Sequence, residues 1–146
     1  MNKPPNITLR EGLPEPNEYF RLFESTGWNH AYGASEAELY SAIEASWFTL
    51  SAYNRSGEFV GFGRVVSDGL LYAFVCDMII YPQYQLQGIG SMIMKAMLER
   101  CSEAGIRVVW LFSASGKSGF YRRHGFHERP SSAPGMEMNL GIEDGA

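Results

Sequence analysis

The segment Asp77-Met-Ile-Ile-Tyr-Pro-Gln-Tyr-Gln-Leu-Gln-Gly-Ile-Gly-Ser91 carries the clearest chemistry in this 146-residue sequence. An apolar run stops at Pro82, passes through Gln85-x-x-Gly88-x-Gly90 and becomes a helical pattern. Gly88 and Gly90 remove side chains where a ligand must touch the backbone. The N–H groups of a first helical turn lack partners within the helix, and together with the positive end of the helix dipole they favour phosphate oxygens. The segment reads as a strand feeding an anion-binding helix start, with room for a pyrophosphate.

Two other phosphate motifs are excluded by position. A dinucleotide fingerprint needs a third small residue at the place of Ile93 and an acid about 20 residues on, and residues 107–112 contain no acid. Gly116-Lys117-Ser118 resembles the end of a nucleoside-triphosphate loop, but Leu111 stands where that loop needs its first glycine. This tripeptide reads as a turn after a strand.

Sixteen acidic against twelve basic side chains give a formal charge of −4 and a pI near 5.4. That balance opposes broad nucleic-acid binding, which needs a basic surface, and is compatible with a cationic substrate such as an amine. Cys76 and Cys101 read as core residues and not as a disulfide or metal pair. His30, His124 and His127 lack ligand spacing, so no metal is expected. The start Met1-Asn-Lys-Pro-Pro-Asn6 has no apolar signal segment and no window approaches a membrane span. The expectation is a cytoplasmic protein with no membrane partner.

Periodicity supplies the elements that must position this chemistry. Ile89, Met92, Ile93, Ala96, Met97 and Ala104 recur mostly every three or four residues, and Gly105 sits where a left-handed cap would end that helix. Upstream, residues 7–10 read as a short strand. After the Pro14/Pro16 break, a helix through Glu18, Tyr19, Leu22 and Phe23 stops near Gly27. Trp28-Asn-His30-Ala-Tyr32-Gly33 reads as an aromatic loop. Ser35-Glu-Ala-Glu38 is a capping box for a helix to about Ala45. Residues 47–53 and 58–67 read as antiparallel strands around a turn at 54–57, and Asp68-Gly69 is a hairpin signal. Residues 70–81 form a strand long enough to need a bulge or bend.

Residues 107–112 then read as a buried strand, 118–124 as a short helix, 126–129 as an edge strand, 136–140 as a strand closing the sheet and 141–146 as a loose tail. The order β-α-α-β-β-β-α-β-α-β-β predicts one α/β (α+β) domain over residues 1–146, with a mixed, mostly antiparallel sheet and helices on both faces.

The element order, Gln85-x-x-Gly88-x-Gly90 after the fourth strand, and Gly119-Phe-Tyr121-Arg-Arg-His-Gly125-Phe126 after the fifth together resemble the GNAT superfamily of acetyl-CoA-dependent N-acetyltransferases across about residues 7–140. The resemblance implies a splay between the fourth and fifth strands and acetyl-CoA as cosubstrate. Its pyrophosphate would lie on the backbone of Gln85, Leu86, Gln87, Gly88, Ile89, Gly90 and Ser91. Its pantetheine arm would pair with exposed backbone at Met78, Ile79 and Ile80, a strand added by a ligand. Tyr121 matches the family position near the cofactor sulfur and is the expected general acid. A thiolate of reference pKa about 8.5 can take a proton from a positioned phenol near 10. The structural alternative is that Tyr121 only anchors its helix, although Phe120 is the better anchor. Lys117, Arg122 and Arg123 read as a solvated basic face, and a homodimer is expected by resemblance alone.

The acceptor nitrogen must be uncharged to attack a thioester, whereas an alkylamine of pKa about 10.4 is mostly protonated at neutral pH. Family members often carry a carboxylate or histidine on the fourth strand to take that proton. Here the counterpart positions are Phe74 and Cys76, neither a convincing base. Asp77 is the only acid nearby, and alternation turns it to the other face unless a bulge reorients it. Two roles stay open for it: general base, or hydrogen-bonding partner for backbone at the splayed strands. Trp28, His30 and Tyr32, with Glu24, form either an aromatic face for a cation or a small hydrophobic closure. The expected acceptor is a primary amine of a small molecule. A protein amino group, or a non-catalytic acyl-CoA-binding module, are the alternatives.

Overall fold

The computed structural model describes residues 6–142, so the reading of the first five residues and of 143–146 lies outside it. Its first strand, β1 (Thr8–Glu11), is followed by α1 (Pro16–Glu24). Pro16 opens that helix, where a missing N–H costs nothing, and Glu18 Oε1 accepts the Glu15 N–H at 2.9 Å. Residues 28–33 do not form a loop as expected: Asn29–Tyr32 is a single helical turn, α2. The cause is Asn29, whose amide donates to the Ala34 carbonyl and accepts the Ala34 N–H, both at 2.9 Å, while Gly33 closes the turn at φ 59°. The capping box forms as read: Ser35 Oγ accepts the Glu38 N–H at 3.1 Å, Glu38 Oε1 accepts the Ser35 N–H at 3.0 Å, and α3 runs Glu36–Glu44.

Strands β2 (Phe48–Tyr53), β3 (Phe59–Ser67) and β4 (Tyr72–Ile80) continue an antiparallel meander from β1. β4 starts two residues later than expected because the Asp68 carboxylate accepts the N–H groups of Leu70, Leu71 and Tyr72, folding them into the hairpin loop. A 3-10 turn at Pro82–Tyr84 leads to α4 (Ile89–Glu103), which ends in a left-handed Gly105. Then comes β5 (Val108–Trp110), parallel to β4, and α5 (Ser118–Arg123). The sheet order is β1-β2-β3-β4-β5.

Helices cover both faces. Ile89, Ile93, Met94, Met97 and Cys101 of α4 pack on one face with Val60, Val65, Ala73 and Val75; Tyr19, Leu22, Phe23, Leu39 and Ile43 of α1 and α3 pack on the other with Phe62 and Ile79. Gly63 lets α4 approach β3: a Cβ there would lie 2.7 Å from Ile93 Cγ2 and 3.1 Å from Met97 Cε.

At the C-terminal side one expected strand is shorter and more exposed than read, and two do not form among the described residues. Residues 107–112 give only a three-residue strand with exposed Val108 and Trp110, because β5 has a partner on one side only among the described residues. Residues 126–129 are not a strand: the Phe126 N–H donates to the Tyr121 carbonyl at 3.1 Å, and Arg129 Nε donates to the Ala133 carbonyl at 2.8 Å, local bonds that replace a ladder. Residues 136–140 alternate as a strand would, yet Met136, Met138 and Leu140 are each at least 80% exposed and no strand forms there. Among the described residues no helix is long and apolar enough to cross a membrane.

Candidate functional site

β4 and β5 separate after a short contact. They pair only through Tyr72–Val108, Ala73–Val109 and Phe74–Trp110, so among the described residues β4 from Val75 to Ile80 has no partner on its β5 side. The Tyr81 N–H donates to the Val60 carbonyl at 3.1 Å. In an antiparallel ladder the backbone groups alternate sides, so Ile79 bonds toward β3 while Met78 and Ile80 face the opening. Ile80 uses its carbonyl there, accepting from Gln85 Nε2 at 2.9 Å. Of the three strand residues expected to meet a ligand, Ile79 is therefore turned away, its side chain buried against α1 and α3.

Beyond β4 the backbone is shaped for an anion. The Gln85 N–H donates to the Pro82 carbonyl at 3.2 Å, so Gln85 fixes the loop with both its amides instead of offering its backbone. Leu86 (φ 63°) and Gly88 (φ 85°) are left-handed, and the first bond of α4 is Met92 N–H to the Gly88 carbonyl at 3.1 Å. Among the described residues, the N–H groups of Leu86, Gln87, Gly88, Ile89, Gly90 and Ser91 donate to no protein acceptor. Buried Ile89 pins the turn to the core. Successive free amides at the positive end of a four-turn helix are an anion site.

The first turn of α4 is braced by α5. A Cβ on Gly90 would lie 3.5 Å from the Phe120 ring, and Ser91 Oγ is 3.0 Å from His124 Nε2. Tyr121 follows Phe120 on the same helix. Its ring meets Phe120 and Phe126 edge to face, at 5.2 and 6.2 Å. It lines a groove of about 650 Å³ shared with Phe74, Phe112, Ser113 and Met136, on the side where β4 and β5 diverge. Burial raises the Tyr121 pKa above its ordinary value, so at neutral pH the phenol is a proton donor. Burial, then the charges of Lys95 and Arg123, lower that of His124.

Asp77 lies elsewhere. On either side of it β3 pairs as Phe62–Ile79 and Arg64–Cys76, leaving Gly63 opposite both Asp77 and Met78, and Asp77 takes φ 53°. This bulge turns the carboxylate toward α1 and α3, where Arg64 Nε donates to its Oδ2 at 2.6 Å. Arg64 Nη1 also donates to the Ala42 carbonyl at 3.2 Å and to Ser46 Oγ at 3.3 Å. The Tyr19 phenol beside them is raised well above its usual range, by burial first and then by Asp77. The Cys76 thiol is raised by burial too. Tyr121 packs with the α4 side of the sheet, so the two candidate catalytic residues occupy opposite faces. At the far end of the α1 side, Trp28 and Tyr32 rest on Phe23, with centroids 5.9 and 6.3 Å away, and stay exposed, as does His30.

Arg64, Tyr19 and His124 were not singled out by the sequence as site residues. A glycine inside a strand, Gly63, is the local hint of a bulge beside Arg64. Nothing local marks the His124–Ser91 contact, which joins residues 33 apart.

Comparison with known proteins is consistent across sequence and fold. The family model for the acetyltransferase (GNAT) domain matches residues 45–128. The uncharacterized N-acetyltransferase ycf52 of Gracilaria tenuistipitata var. liui is 29% identical over 119 residues, covering 80% of this chain and 64% of its own length. Serotonin N-acetyltransferase 2, chloroplastic, of Oryza sativa subsp. japonica is 32% identical over 104 residues, covering 69% and 52%. The chain thus spans less than two thirds of each of these relatives. A GNAT family acetyltransferase from Streptococcus pneumoniae TIGR4 superposes with a TM-score of 0.77 at 30% identity, over 92% of this chain and 98% of that one.

Proposed function

This chain belongs to the GNAT family of acetyltransferases, and from that premise we propose that it moves an acetyl group from acetyl-CoA to a primary amine of a small molecule. The observation that carries this reading is the row of free amides from Leu86 to Ser91, directly after a strand edge left open at Met78 and Ile80. When bound, acetyl-CoA supplies the thioester carbonyl and the sulfur leaving group. The amides of Leu86, Gln87, Gly88, Ile89, Gly90 and Ser91 hold its pyrophosphate, and Met78 and Ile80 pair with its amide-bearing arm. Tyr121 gives its phenolic proton to the departing thiolate as the new C–N bond replaces C–S. Burial, which keeps that phenol protonated, supports this role.

The proton lost by the amine passes to water. Asp77 is read as the residue that shapes β4, because its Oδ2 is held by Arg64 on the face of the sheet opposite Tyr121. A small acceptor is supported by the size of the open groove beside Tyr121, about 650 Å³, within the range of small-molecule sites. The rice relative is named a serotonin N-acetyltransferase, which supports a small amine as the acceptor. The exposed side chains Met136, Met138 and Leu140 support a homodimer, which sedimentation tests.

The deciding experiment follows release of free CoA thiol across polyamines, arylalkylamines, aminoglycosides, amino acids and peptides. Turnover with a small amine is expected. Turnover with peptides alone would transfer the reading to a protein acceptor. Tight acetyl-CoA binding with no release from any amine would make the chain a binding module.

A further inference from the structure

The contact between Ser91 and His124 has a proton-dependent direction. Two hydrogen-bond patterns satisfy the 3.0 Å separation of Ser91 Oγ and His124 Nε2. If Nε2 is bare it accepts the serine proton, and the hydroxyl points at the histidine. If Nε2 carries a proton it donates to Oγ, and the serine O–H is free to be given to another acceptor. Ser91 is in the first turn of α4, beside amides that already lack acceptors. The charged and titratable groups around the ring are basic side chains: Lys95 on α4, Arg123 on α5, and His127 and Arg129 in the groove that His124 also lines. Burial first, and then the Lys95 and Arg123 charges, disfavour a proton on His124 in the free protein, and an anion at the turn would favour one.

Resting on the acetyl-CoA reading above, we propose that His124 is a positioning residue for the cofactor phosphates, which takes up a proton from solvent as they bind and thereby turns the Ser91 hydroxyl toward them. His124 acts through Ser91 and does not touch the reacting atoms. His124 caps α5 three residues after Tyr121, and its ring lies 4.9 Å from that of Phe120, which packs at Gly90, so one helix and its cap carry the proton donor and sense the anion.

The test measures CoA affinity calorimetrically from about pH 5.5 to 8.5 in the full chain and in His124→Gln, with His124→Asn as a second variant should the first fold poorly. The phosphates of CoA titrate in this window, but identically for every protein form, so only the difference between forms is read. The wild-type protein is expected to lose affinity relative to His124→Gln as pH rises through the histidine range, about tenfold for each unit by which binding raises the histidine pKa. Ser91→Ala should remove most of that difference, which a merely structural histidine would not do. Equal pH profiles for wild-type and His124→Gln, with CoA still bound, would overturn the proposal and leave the acetyl-CoA reading intact. No CoA binding by the wild-type protein at any pH would overturn both.

Discussion

Arg64 Nε donates to Asp77 Oδ2 at 2.6 Å across the one place where the β3–β4 ladder slips, and the same guanidinium reaches the Ala42 carbonyl at the end of α3. One ion pair therefore ties a left-handed bulge to a helix on the sheet's α1/α3 face. The bulge also lies within the run of β4 from Val75 to Ile80 that leads, unpaired on its β5 side among the described residues, toward the amide loop.

Removing Arg64 should loosen this arrangement. Both side chains are about one-fifth exposed, so Arg64→Met is expected to cost less than a fully buried pair, about 1–3 kcal/mol in urea unfolding. CoA affinity should fall with it as the strand edge loses its shape. Unchanged stability would mean that the bulge is held by packing alone.

Asp77→Asn separates the two roles of that carboxylate. Asparagine tolerates the left-handed conformation, so the bulge persists. A kcat within about tenfold of wild type is expected for a shaping residue, whereas a general base would cost about 10²–10⁴-fold at constant acetyl-CoA affinity.

Tyr121→Phe should reduce kcat by about 10²-fold or more while acetyl-CoA affinity changes little, the mark of a group used in the transition state. Because burial raises the Tyr121 pKa, no alkaline loss of kcat from this group is expected below about pH 10. A descending limb near neutrality that vanishes in Tyr121→Phe would contradict the assignment.

Acid stability has a defined sign at His124. Its folded pKa is lowered, by burial and by the Lys95 and Arg123 charges, so protonation favours the unfolded chain. The associated stability is present above the unfolded value of about 6.5 and is lost as pH falls through the folded value. His124→Gln should flatten the decline of melting temperature below about pH 6.5. An unaltered slope would mean that another group governs it.

Gly63→Ala puts a methyl 2.7 Å from Ile93 Cγ2. The γ-branch sits close to its own backbone and cannot swing clear, so α4 must shift, at a cost of about 1–3 kcal/mol. CoA binding should weaken too, since the first turn of that helix carries the free amides.

What the sequence made legible was local. Ser35 and Glu38 cap each other within one turn, and Gln85 to Gly90 announce their turn by glycine placement, so both read correctly from composition and spacing. Residues 107–112 and 136–140 carried the right apolar patterns for strands, but whether and how far a strand forms depends on the edge it pairs with, which no local pattern supplies. Asp77 posed the same problem in reverse. Its orientation depended on a one-residue slip against β3, and its partner Arg64 stands 13 residues away.

The amides of Leu86 to Ser91 have a consequence for the protein's lifetime. A fold that keeps a row of donors unanswered is least secure when nothing fills them. A ligand at a hundred times its Kd would add about 2.7 kcal/mol to the folded state. If acetyl-CoA fills those amides as proposed, the amount of this protein that survives proteolysis should rise and fall with the acetyl-CoA supply, through the folded chain's thermodynamics.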